Sequence, residues 1–128
     1  MIRLDSTTRV LKANLLAGIA TTNPDVVVCF VDKRNASKPG EEKGILARPM
    51  AGTSDVVICT APENLVVRDI DSICVRNNDT AAVTWRLSYY DGATQYRLVT
   101  VTIPTLETLQ YESGLGWRVI TASGQVRQ

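Results

Sequence analysis

Val83-Thr84-Trp85-Arg86-Leu87-Ser88-Tyr89-Tyr90 is the stretch whose reading decides the fold. In an extended chain successive side chains point to opposite faces. Val83, Trp85, Leu87 and Tyr89 then share one face, while Thr84, Arg86, Ser88 and Tyr90 share the other. A helix would scatter both sets around its circumference. The segment predicts a half-buried β-strand with Trp85 in the core.

The surrounding residues extend the same pattern in both directions. Asn77-Asn78-Asp79 precedes the strand as a turn, since Asn and Asp tolerate left-handed backbone and hydrogen-bond their own main chain. Asp91-Gly92 follows it as a hairpin turn into Tyr96–Ile103, because glycine accepts positive φ without penalty. Pro104 ends that strand, and Leu106–Tyr111 and Trp117–Thr121 read as two more, joined through Glu112-Ser113-Gly114-Leu115-Gly116. Ser123-Gly124 turns the chain into a last short strand at Gln125–Arg127. Towards the amino terminus lie Leu65–Arg68 with Ser72–Arg76, then Asp55–Thr60, then the β-branched Asp25–Lys33. Ile2–Leu4 is a first short strand, and Leu11–Leu16 a second for which helix is the rival. Roughly eight to ten short strands with frequent turns predict an all-β fold, a single antiparallel β-sandwich or jelly-roll-like domain over residues 1–128.

Composition supports a folded domain. At 128 residues, 45 % apolar and 21 % charged, the chain suits one core and leaves little room for disorder. Fourteen basic and thirteen acidic side chains give a net charge of +1, and the arginines are scattered, so no basic stripe suggests a nucleic-acid partner. No run of eighteen apolar residues suggests a membrane-spanning helix. Met1-Ile2-Arg3-Leu4-Asp5 lacks the basic and apolar regions of a secretory signal, so folding in a cytoplasm is expected. Cys29, Cys59 and Cys74 are odd in number, lack metal spacing and sit in apolar runs, so each is expected to be a buried free thiol.

The familiar signatures of catalysis are missing. Histidine is absent, which removes the commonest base, metal ligand and pH switch. Asp69 and Asp71 are two apart on a strand and should share a solvated face. Gly114-Leu115-Gly116 lacks a following helix and reads as a turn. No glycine loop precedes a Lys-Ser/Thr pair, and no base accompanies a Ser or Cys nucleophile. A non-enzymatic protein without cofactor or metal is expected.

Arg34 to Ser54 differs in character, with Pro39, Gly40, Gly44, Pro49 and Gly52 around the charge cluster Glu41-Glu42-Lys43. It predicts an irregular arm or loop, longer than compact domains usually leave without a partner. Arg34, Lys38, Glu41, Glu42, Lys43 and Arg48 are its candidate interface residues, and Arg86 with Tyr90 is a second candidate on the polar face of the Trp85 strand. Strand edges add a route to homo-oligomers, because their unpaired backbone groups invite another chain. Tyr90, Tyr96 and Trp117 could alternatively stack sugar rings, as in a carbohydrate-binding module.

Several of these segments together resemble a family. Ile73–Thr80, Val83–Leu87, Asp91-Gly92, Leu106–Tyr111, Gly116–Thr121 and Gly124–Val126, with the opening Ile2-Arg3-Leu4, Leu15–Gly18 and Thr21-Thr22, resemble small virion proteins of tailed bacteriophages. The resemblance spans most of the chain apart from Arg34 to Ser54. It implies a β-sandwich component of the virion, assembled in the host cytoplasm, that docks on major capsid or tail proteins. Capsid decoration or cementing is the leading place, and the tail, neck or fibre base is the alternative. It carries no catalytic residue.

Overall fold

A computed structural model describes residues 1–34 and 40–127, and among them every regular element is a β-strand. The strands are β1 (Ile2–Leu4), β2 (Val10–Leu15), β3 (Asp25–Arg34), β4 (Glu41–Pro49) and β5 (Val56–Cys59). After them come β6 (Val66–Arg76), β7 (Val83–Tyr90), β8 (Gln95–Ile103), β9 (Thr108–Glu112) and β10 (Gly116–Ile120). All pairings are antiparallel. One sheet runs β10-β9-β6-β3-β4, with β1 beside β6 at the end of β9, and the other runs β5-β2-β7-β8. The expected antiparallel sandwich is therefore the architecture of the described chain.

The alternation within each strand assigns its inner face. Trp85 and Leu87 on β7, Leu11, Ala13 and Leu15 on β2, and Ile58 on β5 form the inner layer of the smaller sheet. Leu4, Val26, Val28, Ile70, Ile73, Val75 and Leu109 oppose them from the larger one. Trp85 is wholly buried, and its ring meets Trp117 with centroids 5.9 Å apart in a tilted arrangement that suits aromatic quadrupoles. Leu11–Leu15 is strand because Leu11, Ala13 and Leu15 must all reach one core, which only a period of two allows.

β6 departs from strict alternation at one point. Cys29 stands opposite Ser72 and Phe30 opposite Ile70, so Asp71 is an extra residue, a β-bulge. The bulge lets Ile70 and Ile73, three apart, both face the core. Asp69 and Asp71 both lie on the outer side and line one shallow depression beside Lys33, but the expected solvated face holds for Asp71 alone, since Asp69 is buried.

The expectation of an irregular arm over Arg34 to Ser54 is overturned, because β4 occupies Glu41–Pro49 in full ladder with β3. Its charges and proline resemble loop residues, but β4 is an edge strand with one row of backbone groups unpaired among the described residues and both faces partly solvated. The Arg34 amide donates to the Gly40 carbonyl and the Met50 amide to the Pro24 carbonyl. Antiparallel pairs alternate, so the even-numbered residues of β4 point their backbone groups at β3 and the odd-numbered ones point them away. Pro49 is odd-numbered, and its missing N–H removes no bond from the ladder. Gly44 lies opposite Phe30, whose ring occupies the space a side chain would need. Lys38 falls outside the described residues.

The turns follow the sequence signals. Asp91 accepts the amides of Ala93 and Thr94 at 2.9 and 2.7 Å, and Gly92 takes φ +103°. The Asn77-Asn78-Asp79 turn does more than reverse the chain. The Asp79 carboxylate accepts the backbone amides of Ala20, Thr21, Thr22 and Thr80 at 2.8–3.2 Å and the Thr21 hydroxyl at 2.9 Å. It thereby fastens the connection between β2 and β3. Buried Asn77 donates to the Ala81 and Ile103 carbonyls.

Candidate docking surface

The outward row of β4 is the most available backbone of the larger sheet. The amides and carbonyls of Glu41, Lys43, Ile45 and Ala47 project from the sheet edge, and nothing among the described residues pairs with them. Their side chains stand on the outer face of the sheet. Ile45 is 70 % exposed there, the most exposed large apolar side chain on any strand among the described residues. Next to it across the β3–β4 ladder is Cys29, and Val27, Val31 and Ala47 continue the apolar strip along the same face.

Charged groups stand on both faces of this edge. Arg34 reaches the Glu42 carboxylate at 2.9 Å. Asp69 takes Arg3 at 2.6 Å and Lys33 at 3.2 Å, and these cations hold its carboxyl below the usual range, Arg3 most strongly. Arg48 makes no ion pair among the described residues. Beneath the edge, Arg68 stacks on the Phe30 ring at 3.9 Å, grips Asp32 with two hydrogen bonds of 2.8 and 3.0 Å, and donates to the Thr60 carbonyl. That cluster ties β3 and β6 to the chain leaving β5, so the edge rests on a braced support.

The sequence candidates thus divide into two places. Arg34, Glu41, Glu42, Lys43 and Arg48 gather along the β3–β4 edge. Arg86 and Tyr90 lie on the outer face of the other sheet, and both have partners within the chain. Arg86 donates to the Asn14 side chain at 3.2 Å. Tyr90 carries the Lys12 ammonium 4.0 Å from its ring centre and donates its hydroxyl to the Gly92 carbonyl. The aromatic residues considered for sugar stacking are likewise divided. Tyr90 and Tyr96 belong to the smaller sheet, whereas Trp117, on β10, packs against Trp85 and Tyr111.

Sequence reasoning missed Ile45 because the charges around it masked the strand. The signal was present as Gly44-Ile45-Leu46-Ala47, a short apolar run between Lys43 and Arg48. The cysteines also need correction: only Cys59 is buried, and Cys29 and Cys74 are half-buried on the outer face. Burial pushes the Cys59 thiol up to about 11, far from a reactive thiolate at neutral pH.

A second apolar surface opens between β8 and β10, the edges of the two sheets on the opposite side of the sandwich. Val101, Leu109, Trp117 and Val119 line it, with Arg118 and Arg127 at the rim. No family model, curated protein or solved structure matches this chain.

Proposed function

We propose that this protein is a non-enzymatic structural component of a tailed-phage virion, a decoration or cement protein that docks on neighbouring capsid subunits. The observation that carries the reading is the β4 edge, nine residues long, with one row of backbone groups unpaired among the described residues and Ile45 exposed at its middle. Such an edge is a template for another chain; proteins that remain alone usually shorten, cover, bulge or charge theirs, and β4 keeps its charges and proline to its two ends, leaving Gly44-Ile45-Leu46-Ala47 uncharged between them. The resemblance of the Ile73–Thr80, Val83–Leu87 and Gly116–Thr121 segments to tailed-phage virion proteins supplies the setting. The absence of histidine from the sequence is consistent with a docking role.

A position at the tail, neck or fibre base uses the same kind of edge and is the alternative. The test is co-purification with particles followed by imaging. Copies spread over the shell support decoration, and a ring at one vertex supports the alternative. Purified particles that lack the protein would remove both.

A further inference from the structure

We propose that β4 pairs antiparallel with β4 of a second copy about a two-fold axis through Ile45, joining the two larger sheets into one continuous sheet. The inference rests on the docking reading for the role of the β4 edge, and it names the partner as the same chain.

Backbone geometry sets the first condition. The free amides and carbonyls belong to odd-numbered residues, and a two-fold axis perpendicular to the sheet pairs odd with odd and even with even. With the axis on Ile45, that residue exchanges both hydrogen bonds with its copy. Lys43 does the same with Ala47 of the other chain. At the end of the ladder Glu41 donates to the Pro49 carbonyl, while the proline has no N–H to return and leaves the Glu41 carbonyl to solvent.

Side-chain chemistry selects the register. With the axis on Ile45, Glu42 lies directly opposite Arg48 of the other copy, and the symmetry makes this pair twice. These are non-hydrogen-bonded positions, where Cα atoms approach to about 4.5 Å and side chains interact most closely. Arg34 already holds Glu42 from its own chain, so the carboxylate would lie between two guanidinium groups. Moving the axis to Gly44 sets Glu42 against Leu46 and Lys43 against Ile45. Moving it to Leu46 sets Arg48 against Gly44, and moving it to Lys43 stacks two ammonium groups. Only the Ile45 axis uses the whole strand with opposite charges facing each other.

Burial adds the third argument. At the axis the two Ile45 side chains lie next to each other on the outer face, so each covers apolar surface that the single chain leaves 70 % exposed. The apolar row from Cys29 to Ile45 then continues into Ile45 and Cys29 of the other copy, with Val27 and Ala47 beside it.

The test is the mass in solution of the full chain, by light scattering and sedimentation at tens of micromolar. The wild type should be a dimer. Ile45→Pro should be a monomer with its thermal transition little changed, because the Ile45 N–H serves no bond to β3. Ile45→Lys, which places like charges at the axis, should also be a monomer. Arg48→Glu should weaken the dimer roughly tenfold or more, and adding Glu42→Arg together with Arg34→Glu, which keeps the pair inside the chain, should restore it, which a purely structural role for Arg48 would not do. A monomeric wild type, or a folded Ile45→Pro variant that remains dimeric, overturns the pairing. Failure of the full charge reversal to restore association overturns the register. A monomer that still binds particles defeats this inference and leaves the virion reading standing, whereas a dimer that never binds particles does the reverse.

Discussion

Gly44 shows how closely the edge strand β4 packs against its neighbour β3. A Cβ built there would stand 2.3 Å from the Phe30 ring, well inside van der Waals contact. The ring covers the glycine from the neighbouring strand, and the Arg68 guanidinium stacks on that ring. Gly44→Ala should therefore cost about 1–3 kcal/mol, the usual range for overpacking, despite the better strand propensity of alanine. Urea denaturation should show it as a lower midpoint with an unchanged slope. Phe30→Leu in the same chain should recover part of the loss, since the ring is what the methyl group meets. Cysteine chemistry provides a second residue-scale check. Cys59 is wholly buried, with its thiol raised to about 11, so a thiol reagent at pH 8 should leave it unlabelled in the native protein. Labelling of Cys29 or Cys74 should come first, and Cys59 should react only when the chain unfolds. Prompt reaction of Cys59 would mean that the inner layer at β5 is open.

Elements in this fold are joined by a few polar clusters, and Arg68 is the one that bridges most. It binds Asp32 on β3 through two hydrogen bonds and Thr60 beyond β5, so one side chain connects inner strands of the larger sheet to the chain leaving the edge strand of the smaller one. Both members of the ion pair are largely shielded, with side-chain exposures of 11 and 17 %. Arg68→Met should cost about 2–4 kcal/mol, because Asp32 would keep its charge without its partner. The double variant with Asp32→Asn should recover much of that, and a double-mutant cycle measures the coupling. A single variant as stable as the wild type would show that water already screens the pair. This cluster was not legible in the sequence, since Asp32, Thr60 and Arg68 lie far apart in the chain and only the sheet order brings them together. The strands themselves were legible wherever alternation or a β-branched run was uninterrupted, as in Val83–Tyr90 and Asp25–Lys33. β4 was not, because an edge strand can carry Glu41-Glu42-Lys43 and a terminal proline that an inner strand would exclude. Asp79 shows the same limit. Its turn was readable locally, but its hold on the Ala20–Thr22 segment depends on a fold-level approach.

The whole molecule distributes its carboxylates in a way that fixes its response to acid. Arg3 lowers the Asp69 carboxyl, and Arg127 lowers that of Glu107. Backbone amides lower Asp79, chiefly through Ala20, and Asp91, chiefly through Thr94. These groups sit at separate joints: β1 to β6, the approach to β9, the β2–β3 connection and the β7–β8 hairpin. Each binds its proton less readily in the folded chain than in the unfolded one, whose values are near 3.8 for Asp and 4.5 for Glu. The unfolded state therefore takes up more protons as the pH falls, and stability rises with pH through that range. The contribution is fully present above about pH 4.5 and is lost as the pH drops through the lower folded values. With no histidine to titrate near pH 6, the melting temperature should stay nearly level from about pH 8 to pH 5 and fall steeply below pH 4. Asp79→Asn separates this cause from general charge repulsion. The amide keeps the shape but accepts fewer of the amide hydrogens, so the variant should melt lower at neutral pH and lose less on acidification. An acid limb as steep as that of the wild type would place the pH dependence elsewhere, in the net positive charge that every protonated carboxylate leaves behind.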